Sequence, residues 1–105
     1  MAELAVVIGA GGGIGAALAA ALAAQGDRVL PLGRATTPPL DLLDEPAIAA
    51  AAAHAASLGP PALVIDASGF LHGAGFAPEK SWRELDPAHL AHAFALNAIG
   101  PALLM

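Results

Sequence analysis

"VVIGAGGGIGAALAA", Val6 to Ala20, is the stretch on which the reading of this chain turns. An apolar run leads into five glycines within seven residues, Gly9, Gly11, Gly12, Gly13 and Gly15, and an alanine-rich run follows. Leu4 to Ile8 is short, partly β-branched and continuously apolar, which suits a strand buried on both faces. Ile14, Leu18 and Leu22 recur every four residues and predict one face of a helix. Gly26 is placed to stop that helix as its C′ residue. Leu4 to Ala24 carries no formal charge and is long enough to cross a bilayer. Against that reading, each glycine costs about 1 kcal/mol in a helix interior. The flank carries Glu3 and no Lys or Arg, unlike a signal peptide.

Working outward, "RVLPL", Arg28 to Leu32, reads as a second strand, weakened by Pro31 because a central strand seldom tolerates a missing donor. The prolines of "ATTPPLDLLDEP" impose an extended path, with Leu40 to Leu42 a very short third strand. Asp44 is an N-cap candidate, with Glu45 and Pro46 in the first turn of a helix through "AIAAAAAHAASL" that stops at Gly59-Pro60. "ALVIDASG", Ala62 to Gly69, is another buried strand ending in small residues. Phe70 to Leu85 reads as a loop, and Asp86-Pro87 as N-cap and N1 of a last helix running toward Met105. Strands alternating with helices imply β-α-β units, right-handed crossovers and a parallel sheet.

Bulk numbers bound the function. At 105 residues the chain is one domain at most. With 57% hydrophobic and 12% charged residues it is far from disordered chains. Net charge is −5 with four basic residues, which argues against nucleic acid or an anionic membrane as partner. No cysteine is present, so disulfides, thiolate zinc sites and thiol catalysis are excluded, and a reducing cytoplasm is the compatible location.

A strand, a glycine turn and a helix are the parts of a dinucleotide site. A helix N-terminus offers unpaired N–H groups and about half a positive charge, and glycines let a pyrophosphate approach the backbone. A P-loop is excluded, because its register requires a lysine and none lies near. Two registers remain: Gly11, Gly13 and Ala16 in a G-x-G-x-x-A form, or Gly9, Gly13 and Gly15 in a G-x-x-x-G-x-G form. A tight structural turn without a ligand satisfies the same glycines.

Four motifs in order then carry a resemblance. "IGAGGGIG" resembles the T-G-x-x-x-G-I-G motif of short-chain dehydrogenases/reductases, with Ile8 in place of threonine. "DLLD", Asp41 to Asp44, resembles the family's short acidic motif, "DASG", Asp66 to Gly69, its N-N-A-G motif with both asparagines replaced, and "FALNAIGP", Phe94 to Pro101, the segment with its catalytic asparagine. "GFLHGAGFAPEKSWRELDP" running into "AFALNAIGP" is similar to the C-factor-like branch. The resemblance covers essentially the whole chain but only the N-terminal part of a normal family member. It implies a Rossmann-type doubly wound parallel sheet of strand order 3-2-1-4, here a single, truncated NAD(P)-binding domain over residues 1–105.

The resemblance selects the Gly9, Gly13, Gly15 register and implies cofactor binding by Gly9, Gly12, Gly13, Ile14 and Gly15. It places Asp41 and Leu42 at the adenine, Ala67, Ser68 and Gly69 at the nicotinamide ribose, and Asn97 as the catalytic asparagine. NAD-using members carry an acidic residue at the end of the second strand, about 20 residues after the glycines. Gly33-Arg34 stands there instead, and an arginine fork can pair with a 2′-phosphate. NADP is therefore the favoured cofactor over NAD, although Gly12 occupies a position where many NADP-using members carry a second basic residue. Asp66, read as buried, needs hydrogen-bond donors.

Asn97 is unfavourable mid-helix, and Pro101 four residues later removes the i+4 donor to its carbonyl. An ordinary proline kink is the alternative reading. The family's Tyr-x-x-x-Lys pair is missing: the chain has no tyrosine, and its only lysine, Lys80, lies in the loop. Ser57, Ser68 and Ser81 have no base at recognisable spacing. His89 and His92 share a helix face, but two ligands are too few for a metal site. The expectation is an NADP-binding part of a short-chain oxidoreductase, inactive alone, or else a non-catalytic dinucleotide-binding or interaction module. Self-association through an exposed sheet edge and the last helix is also expected.

Overall fold

The computed structural model describes residues 3–69 and 81–105. Three parallel strands, β1 (Leu4–Ile8), β2 (Arg28–Leu32) and β3 (Leu63–Asp66), form a sheet of order β2-β1-β3. β1 is central. Ala5 to Ile8 lie opposite Val29 to Leu32 on one side and Leu63 to Asp66 on the other. All five residues of β1 are buried, as a continuously apolar strand covered on both faces requires.

The chain steps from β1 to β2 in one direction, then back across β1 to β3. Right-handed crossovers place the two connecting helices on opposite faces. α1 (Gly13–Ala24) contacts β1 and β2. On the other face Leu4, Val6 and Ile8 join Leu30, Leu32, Leu40, Leu42 and α2 (Glu45–Ser57) residues Ile48 and Ala51 in one core. Pairing alternate residues of one strand with one layer follows from the two-residue side-chain period.

Local chemistry sets the element ends. Beyond α1, Gly26 has φ +91°, Gly26 N donates to Ala23 O at 3.0 Å and Asp27 N to Leu22 O at 3.2 Å. This is the Schellman arrangement, so the predicted C′ glycine stops the helix as expected. Asp44 occupies the N-cap position of α2 without a side-chain capping bond. Asp86 does cap α3 (Pro87–Phe94), accepting from Ala88 N at 3.3 Å. A π turn (Ala95–Ile99) and α4 (Gly100–Leu104) continue α3 as one helical run. Leu96 and Leu104 pack on the core. A Cβ on Gly100 would overlap Leu42 O and lie 2.7 Å from Leu42 Cβ, so this glycine lets the last helix close on the segment before α2.

Three expectations need correction. The short strand at Leu40 to Leu42 is absent, so the described order is β2-β1-β3 and lacks the outermost strand of 3-2-1-4. Leu40 N instead donates to Gly33 O, Leu43 N to Asp41 Oδ1 at 2.9 Å and Asp44 N to Asp41 O. Those bonds close turns, and Pro38 and Pro39 have no N–H for a ladder. Second, Ile14 is 75% exposed, while Leu18 and Leu22 are half-buried. The helix meets the strand through Gly15, and Leu18 and Leu22, three and seven residues on, share that face. Ile14 is about 100° around the helix from it. Third, part of the expected loop is a short 3-10 turn, Trp82–Glu84. Residues 70–80 of that loop lie outside the described residues. Trp82 is 76% exposed, with the Arg83 guanidinium 5.5 Å from its ring centre.

Pro31 fits without strain. Arg28 N and Leu32 O bond toward β1, so residues of the opposite parity, Pro31 among them, direct their backbone groups away from it. Among the described residues β2 is an edge strand, where a missing donor costs no ladder bond. β3 also departs from expectation: read as a buried strand, it forms the opposite edge, with Leu63 42% and Val64 40% exposed, since among the described residues β1 is its only neighbouring strand. No helix among the described residues is long and apolar enough to cross a membrane.

Candidate functional site

The strand order reverses between β1 and β3, and in open α/β sheets ligands bind in the crevice at the strand carboxyl ends beside such a reversal. Here that crevice is built from the glycine turn and the segment after β3. Gly9 leaves β1 with φ +81°, and a Cβ there would lie 2.7 Å from Ser68 N and 2.8 Å from the Ala67 carbonyl carbon. Only glycine fits this contact between two backbones. A Cβ on Gly15 would overlap Gly9 O and lie 2.8 Å from the Gly9 carbonyl carbon. The two end glycines of the G-x-x-x-G-x-G register thus bring strand, turn and helix together.

The middle glycines behave differently. A Cβ on Gly11 or Gly13 would meet nothing within 4 Å, and one on Gly12 only Gly9 O at 3.5 Å. Gly12 is the N-cap of α1 and makes no side-chain capping bond, having no side chain to make one. Ala16 N, donating to Gly12 O at 2.8 Å, opens the helical ladder. The amides of Gly13, Ile14 and Gly15 therefore stand ahead of it, at the positive end of the helix dipole. A turn with packed ends, an open middle and leading amides is the cradle a phosphate needs.

Neighbouring segments extend this edge. A Cβ on Gly33, just after β2, would lie 3.7 Å from Gly11 N and 4.0 Å from Ala10 N, so the loop carrying exposed Arg34 abuts the glycine turn. Across β1, Ala67, Ser68 and Gly69 follow β3. A Cβ on Gly69 would lie 4.0 Å from Asn97 Oδ1, which puts the asparagine side chain beside the segment that follows β3. Asn97 sits inside the π turn, where Gly100 N donates to Ala95 O. Pro101 has no N–H to offer in the α pattern, and a wider turn accommodates that loss within a continuous helical run.

Asp41 and Leu42 lie in the turn before α2. The Leu42 side chain is 8% exposed and part of the core, and Asp41 Oδ1 is held by Leu43 N. Asp66 is exposed rather than buried. Its Oδ1 accepts from Ser68 N at 3.0 Å and from Ser68 Oγ. The donors missing from the sequence reading come from two residues ahead, the ordinary Asx-turn spacing. Thr36 also escaped the sequence reading. Its hydroxyl bonds Gly33 N, Gly33 O and Pro38 O, and the signal was a threonine near glycine and proline after a strand. His89 is buried on α3, and no group of three potential metal ligands exists among the described residues.

No family model matches the sequence, and no curated protein matches it. Solved structures do. The chain is similar to a short-chain dehydrogenase from Streptomyces avermitilis at 28% identity and TM-score 0.82, over 99% of this chain and 42% of that one. A 3-ketoacyl-(acyl-carrier-protein) reductase from Brucella melitensis, complexed with NADH, aligns at 20% identity and TM-score 0.81 over 97% of this chain and 47% of that one. Aldohexose dehydrogenase from Thermoplasma acidophilum aligns at 16% identity and TM-score 0.79 over 98% and 41%. The latter two likenesses are of fold alone. The chain spans less than half the length of each of these proteins. Its small α/β fold with a three-stranded parallel sheet matches the Rossmann-like N-terminal part of short-chain dehydrogenases.

Proposed function

We propose that these 105 residues are the NADP(H)-binding portion of a short-chain oxidoreductase, of the C-factor-like branch. The observation that carries the reading is the glycine turn at the strand reversal: packed at Gly9 and Gly15, open at Gly11 and Gly13, and followed by leading helix amides. The cradle fits a pyrophosphate because the space a Cβ would take at Gly11 and Gly13 is unfilled by protein. A bound nicotinamide would supply the hydride that reduces a carbonyl or, in its oxidised form, accept the hydride of an alcohol. Gly13, Ile14 and Gly15 hold the pyrophosphate through backbone amides. Gly12, whose own amide bonds Gly9 O, borders it as an N-cap without a side chain, and Gly9 lets the turn close on β3. Ala67, Ser68 and Gly69 border the nicotinamide ribose, Asp41 and Leu42 the adenine. Asn97, beside Gly69, contributes to the proton path near the reacting end. Arg34 pairs with the 2′-phosphate through its guanidinium fork.

Protonation of the substrate oxygen calls for a tuned acid, and these residues include no tyrosine. The chain alone therefore binds dinucleotide without reducing carbonyls. Fluorescence titration of the folded chain with NADPH and NADH tests the reading. NADPH should bind more tightly, and Arg34→Ala should weaken NADPH far more than NADH. Binding of neither dinucleotide by a chain that is folded by circular dichroism would overturn the proposal. Equal losses for both in the Arg34 variant would overturn only the NADP preference. Carbonyl reduction by the 105-residue chain would refute the statement that it is inactive alone.

A further inference from the structure

Arg34 is an exposed residue on a turn, and a guanidinium on a loose turn discriminates poorly, because ordering the turn opposes each bond it forms. The loop from 33 to 40 is not loose. Gly33 O accepts from Thr36 N at 3.2 Å, Leu40 N at 2.8 Å and Thr36 Oγ1 at 2.8 Å. The same hydroxyl oxygen accepts from Gly33 N at 3.0 Å and lies 2.9 Å from Pro38 O, so its single proton reaches two carbonyls. One side chain thus joins both backbone groups of Gly33 to the carbonyl of Pro38, with Arg34 inside the closed segment. The start of that segment is fixed against the glycine turn, through Gly33 beside Ala10 and Gly11.

We infer that Thr36 is a positioning residue for cofactor choice: its hydroxyl clasp holds the Gly33–Pro38 loop so that Arg34 is presented beside the glycine turn to a 2′-phosphate. This rests on the reading of the site as a dinucleotide cradle with Arg34 at its 2′-phosphate end. Thr36 touches no part of the cofactor in this account. It acts on the entropy of ordering Arg34, so it changes affinity for the 2′-phosphorylated dinucleotide and leaves the other unchanged.

The test compares dissociation constants of NADPH and NADH for the parent chain and for Thr36→Val, Thr36→Ser and Arg34→Ala, with melting temperatures alongside. Thr36→Val keeps the shape and removes the hydroxyl. NADPH should weaken about tenfold, the scale of losing much of one charge-assisted bond, with NADH unchanged. Thr36→Ser should keep the parent ratio. A merely structural role would lower both affinities together or change only the melting temperature, and either outcome overturns the inference. So does a parent-like ratio in Thr36→Val while Arg34→Ala abolishes the preference, a result that leaves the Arg34 reading standing. A folded parent with no NADPH preference overturns that Arg34 reading and, with it, the inference. If Thr36→Val does not fold, Thr36→Cys replaces the hydroxyl by a weak donor and acceptor, and an unaltered ratio there overturns the inference.

Discussion

Replacing Gly15 and, separately, Gly13 by alanine separates packing from ligand approach in the glycine turn. At Gly15 the added methyl overlaps Gly9 O, and lies 2.8 Å from the Gly9 carbonyl carbon and 3.1 Å from Ala10 Cα. All three are backbone atoms, so no side chain can swing aside and α1 must move off the end of β1. Overpacking of this kind costs about 1–3 kcal/mol. At Gly13 the methyl meets nothing within 4 Å, and alanine gains up to about 1 kcal/mol in helix propensity. For a domain of this size, 1 kcal/mol moves the melting temperature by about 4–8 °C. With three backbone atoms in the way at Gly15, the overpacking cost lies at the upper end of its range. Even after the same propensity gain, Gly15→Ala should therefore lose about 2–3 kcal/mol and melt about 8–24 °C below the parent, and Gly13→Ala level with it or up to about 8 °C above. Thermal melts followed by far-UV circular dichroism read both. NADPH titration of the stable Gly13 variant should still show weakened binding, because the methyl occupies the approach to the leading amides. A parent-like melting temperature for Gly15→Ala, or a Gly13→Ala variant destabilised as much as it, would refute the steric reasoning.

Other expected outcomes follow from the packing and charge of particular residues. Ile8 is 1% exposed at the end of the central strand. Ile8→Ala should lower stability by about 2–5 kcal/mol, read from the urea midpoint at unchanged m-value. Asp86→Ala removes the capping bond to Ala88 N and should cost about 1 kcal/mol, whereas Asp86→Asn should stay within a few tenths in the same assay. Because Arg34 is exposed, the proposed preference for NADPH over NADH should shrink as salt rises from about 0.01 M to about 1 M, where the Debye length falls from ~30 Å to ~3 Å. A salt-independent ratio in the titration would count against an arginine–phosphate pair.

The elements that read correctly from sequence are those whose causes are local. Leu4 to Ile8 has no polar face to present to water, so it had to be central. Gly26 and Asp86-Pro87 end and start helices through bonds within a few residues. The misreadings are equally physical. Leu40 to Leu42 has strand-like composition, but both leucines are buried as core residues of a turn. Which use wins depends on whether backbone donors find a ladder or the carbonyls of Gly33 and Asp41. Asp66 looked costly only while it was placed inside.

By itself the sequence determined the alternation of strands and helices, the parallel sheet and the glycine turn between β1 and α1, because apolar periodicity, caps and glycine sterics act within a few residues. Tertiary structure decided what each glycine is for. Gly9 is required by the backbone of Ala67 and Ser68, nearly sixty residues away along the chain, and Gly15 by the turn it folds back upon, while Gly11 and Gly13 face open space. It also decided that Gly33 stands beside Ala10 and Gly11, and Gly69 beside Asn97. Those approaches are set by the order in which strands lie across the sheet, a non-local property that no spacing along the chain encodes.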